Sequence, residues 1–105
     1  MTHDNPMYDE ELFGPVAQIY RVSSEEEMVE IANDSRYGLG GAIYTADVAH
    51  GNELATKIET GQVAINQVLD EQAEVPFGGV KDSGYGRELS DWGLFEFANV
   101  KLVLN

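Results

Sequence analysis

The sequence predicts an α/β fold, with a mainly parallel sheet built from β-α-β units and an edge strand at the C-terminus. Three observations predict it. Four short apolar runs of strand length recur along the chain, three amphipathic stretches separate them, and the first two of these carry capping residues ahead and a glycine behind. The length, 105 residues, allows one ordinary domain.

Phe13-Gly14-Pro15 ends an acidic lead-in, and Val16–Val22 follows with apolar residues on both alternation faces, the pattern of a strand covered on both sides. Ser23 and Ser24 before Glu25, Glu26 and Glu27 offer two overlapping capping boxes, with the acids where a helix dipole favours them. Met28, Ile31 and Ala32 form the apolar stripe of that helix, and Gly38 is its expected stop. Ala42–Thr45 reads as the second strand. Asp47 is an N-cap for a helix with Leu54, Ala55 and Ile58 on one face and Gly61 as its stop. Gln62–Asn66 is a third strand, and residues 67–86 form a long irregular stretch rich in glycine and acids. A helix over about 88–97 places Leu89, Trp92 or Gly93, and Phe97 on one side, and Val100–Leu104 closes the chain as an alternating strand. That strand either pairs within its own sheet or offers its edge to a partner. The expected division is therefore residues 1–99 as one body and 100–105 as a terminal edge strand.

Composition removes several function classes. Six Lys and Arg against nineteen Asp and Glu give a net charge of −13, which repels phosphate backbones and anionic membrane surfaces, so neither nucleic acid nor membrane is an expected partner. The absence of Cys removes disulfides, thiolate metal sites and a thiol nucleophile within these residues. His3 and His50 have no companions at ligand spacing, so no metal is expected. The N-terminus has neither the basic start nor the apolar run of a signal peptide, and a cytoplasmic location follows as the expectation. Gly84-Tyr85-Gly86-Arg87-Glu88-Leu89 has two of three dinucleotide-fingerprint glycines and follows a loop, so it is not a nucleotide-binding turn.

Two features stand apart. In Glu10-Glu11-Leu12-Phe13-Gly14-Pro15, an exposed ring at Phe13 would suit stacking on a flat heterocycle, with a carboxylate two residues earlier to accept hydrogen bonds from sugar hydroxyls. The other reading is a turn with a buried Phe and solvated acids. Between 78 and 86 stand four further glycines in a loop opened by Pro76-Phe77, a concentration that marks close backbone approach or positive-φ turns.

Taken together, Glu10–Val16, Ala32–Leu39, Gly61–Asn66, Pro76–Glu88 and Val100–Val103 resemble, in order and across nearly the whole chain, the C-terminal segment of the aldehyde dehydrogenase superfamily. Within it, Phe77–Ser90 and Gly93–Phe97 are most similar to succinate-semialdehyde dehydrogenases. The resemblance implies an enzyme in which a Cys thiolate attacks an aldehyde, NAD or NADP takes the hydride, and water activated by a Glu releases the acid. By the same resemblance, Glu11 holds the nicotinamide ribose hydroxyls and Phe13 flanks the nicotinamide. Phe77 lines the substrate tunnel, Glu71 stands where relatives with apolar substrates carry an aromatic, and Asn66 and Gly78-Gly79 shape the loop. It further implies a small-molecule aldehyde substrate and a homo-oligomer joined through 100–104. The thiol, the base and the nucleotide domain lie upstream in that family, so the chain reads as a C-terminal piece with no catalytic residue and no activity of its own. The competing expectations are a small acidic interaction module, or a degenerate paralogue, dimerising through its terminal strand. Asp70, Glu71 and Glu74 near the tunnel would repel a substrate carboxylate, which calls for a cationic side chain outside these residues if the substrate is succinic semialdehyde.

Overall fold

The computed structural model describes residues 3–105. The chain divides into two compact units, one ending at Arg36 and the other spanning Tyr37–Asn105. The α/β class holds, with three helices and four short strands among the described residues.

In the first unit, helix α1 spans Glu25–Asn33. Its N-terminus is fixed by Ser24, extended at φ −143°, whose side chain accepts the Glu27 amide at 3.2 Å. Glu27 reaches back one residue further than a standard capping box and accepts both the amide and the hydroxyl of Ser23, each at 2.8 Å. These bonds favour the ionised carboxylate and hold its pKa below the ordinary value. The helix ends at Asp34, well before Gly38, where the Asp34 amide turns back to the Ile31 carbonyl. Asp34 also accepts the Tyr8 hydroxyl at 2.7 Å, which pushes the Tyr8 pKa up to about 12.

The strand expected over Val16–Val22 does not form. These residues enter no ladder, and Val16 and Ile19 are exposed. A strand apolar on both faces needs a neighbour and two covering layers. Here the chain is held instead by the Gln18 amide on the Met7 carbonyl at 2.8 Å and by Tyr20 on Gln18 at 2.8 Å.

The second unit contains β1 (Tyr37–Gly38), β2 (Gly41–Ile43), α2 (Val48–Ala55), β3 (Val63–Ile65), β4 (Val80–Lys81) and α3 (Ser90–Glu96). The β2-α2-β3 segment is the expected crossover: β2 and β3 pair parallel, with Gly41, Ala42 and Ile43 opposite Val63, Ala64 and Ile65. Asp47 caps α2 by accepting the His50 amide at 3.0 Å. The helix stops at Ala55, earlier than the Gly61 expected, because the Thr56 hydroxyl bonds the Glu53 carbonyl at 2.7 Å and the chain turns. The other pair was not legible in the sequence: β1 and β4 run antiparallel, Tyr37 opposite Lys81 and Gly38 opposite Val80. A β-carbon on Gly38 would lie 2.6 Å from the Glu59 carbonyl oxygen, so this close crossing requires glycine.

The core lies where α2 covers β3. Leu54 and Ala64 are the buried hydrophobic residues among those described, and full burial of a leucine side chain contributes about 1.5–3 kcal/mol. Elsewhere apolar side chains face outward, among them Trp92, Leu94, Phe95, Phe97 and the whole apolar run of 100–104. On α3 the packed position is Gly93, lying on the Glu88 backbone, and not Trp92 or Phe97. Residues 100–104 form no ladder within the chain, which corrects the expectation of an own-sheet strand.

Candidate functional site

Asn66 begins the loop that carries the site. It sits at φ 56°, in the left-handed region that Asn tolerates better than most residues. Its amide donates to the Ile43 carbonyl at 2.8 Å. Its side chain then continues the ladder, with Oδ1 accepting the Thr45 amide and Nδ2 donating to the Thr45 carbonyl, both at 2.8 Å. The loop therefore leaves β3 in a fixed direction, which agrees with a loop-shaping residue.

The return of the loop is fixed by glycines. A β-carbon on Gly61 would overlap the Gly78 carbonyl, so the two backbones touch where neither has a side chain. Phe77, just before this contact, pairs antiparallel with Glu88: each amide donates to the other's carbonyl at 2.8 Å. Arg87 Nη1 donates to the Gly79 carbonyl at 2.8 Å and to the Gly86 carbonyl at 2.6 Å. The sequence reading missed this guanidinium. Its available signal was an arginine placed directly after Gly84-Tyr85-Gly86, where main-chain carbonyls have few neighbouring side chains to meet.

These constraints place Phe77 and Glu71 on the wall of one open hollow of about 320 Å³, shared with Leu39, Gly40, Gln62, Leu69 and Asp70. Leu39, Leu69 and Phe77 give it an apolar side, and Asp70 and Glu71 give it negative charge with no cation among the lining residues. Glu74 is not part of it. That acid lines a separate hollow with Ala73, Pro76, Ser90, Asp91 and Trp92.

In the first unit, Phe13 is 93% exposed, which disposes of the buried-Phe reading. Its φ of 33° is unfavourable for a residue with a β-carbon. A tight turn follows immediately, the Val16 amide donating to the Gly14 carbonyl at 2.7 Å. Glu11, two residues earlier, is exposed as well. Ring and carboxylate thus both lie at the surface of this unit. No group of three or more His, Cys, Asp or Glu side chains among the described residues is arranged to hold a metal ion, and no helix among them is long and apolar enough to cross a membrane.

Comparison with known proteins places this architecture in a class. Residues 1–103 match the sequence model of the aldehyde dehydrogenase family, and the chain belongs to that family. It is 52% identical over 103 residues to a succinate-semialdehyde dehydrogenase [NADP(+)] of Deinococcus radiodurans and 50% identical to an aldehyde dehydrogenase of Paenarthrobacter nicotinovorans. Each alignment covers 98% of this chain and 22% of the relative, so the chain spans about a fifth of their length. Among solved structures, the succinic semialdehyde dehydrogenase of Streptococcus pyogenes, in complex with NADP+, superposes with a TM-score of 0.96 at 53% identity, over 100% of this chain and 23% of that one. A betaine aldehyde dehydrogenase of Staphylococcus aureus superposes at 0.85 with 40% identity, over 90% of this chain and 19% of that one.

Proposed function

We propose that these residues form part of the substrate wall and the cofactor clamp of an NAD(P)-dependent aldehyde dehydrogenase acting in the cytoplasm, with succinic semialdehyde as its substrate. The observation that carries the reading is the paired geometry of the exposed Phe13 ring at φ 33°, two residues after an exposed carboxylate. A positive φ at an outward-facing aromatic is a backbone outlier that supports a functional role for the ring.

Glu11 and Phe13 fit a nicotinamide nucleotide: Glu11 would accept hydrogen bonds from the ribose hydroxyls and Phe13 would stack against the flat ring. When bound, the nucleotide supplies the hydride acceptor. Phe77, Leu39 and Leu69 would exclude water along the aldehyde's hydrocarbon part, and Glu71 would set the charge at the mouth of the hollow. No thiol is present in these 105 residues, so attack on the carbonyl falls to a nucleophile elsewhere in the enzyme, and the chain alone is expected to oxidise no aldehyde. The exposed alternating run over 100–104 supports pairing with a second copy and a homo-oligomeric enzyme.

The negative wall makes the substrate assignment testable. An anionic aldehyde approaching Asp70 and Glu71 needs a compensating cation contributed by residues outside this segment. Comparison of kcat/KM for succinic semialdehyde and butanal on the enzyme that carries this segment decides it. The expected result is a preference for succinic semialdehyde that falls with rising ionic strength. A preference for butanal would remove the semialdehyde assignment.

A further inference from the structure

We infer that Arg87 is a positioning residue, which holds the Phe77 ring at the wall of the hollow and through it sets the affinity for the aldehyde; the inference rests on the function proposed above. The Phe77 backbone is held by its pairing with Glu88. That pairing is an isolated bridge of two hydrogen bonds, each 2.8 Å, outside the named strands. The residues that follow, Gly78 and Gly79, have no side chains and are held only through their backbones, Gly78 against Gly61.

Arg87 adds a side-chain constraint to these backbone ones. Through Nη1 alone it ties the Gly79 carbonyl, two residues after Phe77, to the Gly86 carbonyl, two residues before Glu88. Charge-assisted bonds of this kind are about twice as strong as neutral ones. The methylene stem contributes as well, since the Arg87 Cδ lies 2.9 Å from where a Gly78 β-carbon would stand. The guanidinium thus spans both chains of the hairpin beyond its single bridge. Because Arg87 is half-buried beneath the turn and is not among the residues lining the hollow, its influence on substrate passes through Phe77.

The test combines kinetics with amide exchange on the enzyme that carries this segment. Arg87→Gln is expected to raise the aldehyde KM about tenfold with kcat within about twofold, and Arg87→Lys, which keeps a charged donor, to recover part of the loss. In a Phe77→Ala background, Arg87→Gln should add almost nothing, the mark of two residues acting as one. The Phe77 and Glu88 amides should exchange about tenfold faster in Arg87→Gln, with the Asn66 amide unchanged. Undiminished kinetic loss in the Phe77→Ala background, or unaltered exchange at Phe77 and Glu88, overturns the inference. A wild-type protein that oxidises no aldehyde would instead remove the proposed function, and the exchange data would still decide whether Arg87 holds Phe77.

Discussion

Asn66→Ala is the perturbation whose cost follows most directly from the geometry. The substitution deletes the two side-chain hydrogen bonds to Thr45 while leaving the backbone bond to Ile43 in place. Two such bonds contribute about 0.5–1.5 kcal/mol each. Alanine must also occupy φ 56°, a region that disfavours a residue with a β-carbon by about 1–2 kcal/mol. The local loss is therefore about 2–5 kcal/mol. Asn66→Gly separates the two contributions, because glycine accepts the backbone conformation freely and loses only the side-chain bonds, about 1–3 kcal/mol. Amide exchange at Thr45 and Asn66 is the assay, and both substitutions should accelerate it, alanine more than glycine. Equal exchange in the two variants would show that the left-handed conformation carries no cost. Protection as high as in the wild type would refute the latch altogether.

Two further outcomes follow from titrating groups. The Glu27 pKa lies below its ordinary value because the ionised carboxylate accepts the Ser23 amide and hydroxyl. That support for the start of α1 is present above the ordinary carboxylate pKa and is lost as pH falls through the lowered one; the Ser23 amide resonance should report it, and Glu27→Gln should abolish the dependence. Tyr8, raised to about 12 by its bond to Asp34, contributes stability that persists below pH about 10 and disappears between there and about 12. Its ring resonances should titrate late, and Asp34→Ala should return them toward the ordinary tyrosine value.

What was legible in the sequence is mostly local chemistry. Ser24 and Asp47 act as caps because a capping oxygen needs only an amide three residues ahead. The β2-α2-β3 crossover was legible because each of its parts carries its own apolar pattern. Both helix ends were placed too late, since Gly38 and Gly61 serve close backbone crossings and not helix stops. The β1–β4 pair is only two residues on each side, too short for any periodicity to register. The runs at 16–22 and 100–104 have strand patterning without a ladder in this chain. Patterning reports that a segment suits a sheet, and it does not say which polypeptide supplies the neighbouring strand.

For the site, Phe77 and Glu71 do meet in one hollow, and Phe13 and Glu11 do face solvent. Phe77 and Glu71 came from resemblance, because no spacing rule joins a loop residue at 71 to one at 77, whereas Phe13 and Glu11 already stood out as a ring before Gly14-Pro15 with a carboxylate two residues earlier. The separation of Glu74 from Asp70 and Glu71 was beyond sequence reasoning, since the Ser90 amide donates to the Ala73 carbonyl at 2.8 Å and that main-chain bond leaves no residue pattern. Arg87 went unread because its partners are main-chain carbonyls, and the one signal for them, an arginine directly after Gly84-Tyr85-Gly86, is weak.

The most direct measurement is the dissociation constant for NADP+ of the enzyme that carries this segment, compared among wild type, Glu11→Gln and Phe13→Ala. Weakening of about tenfold in each variant, with the melting temperature unchanged, is the predicted result. Wild-type affinity in both variants would contradict the assignment of Glu11 and Phe13 to the cofactor clamp.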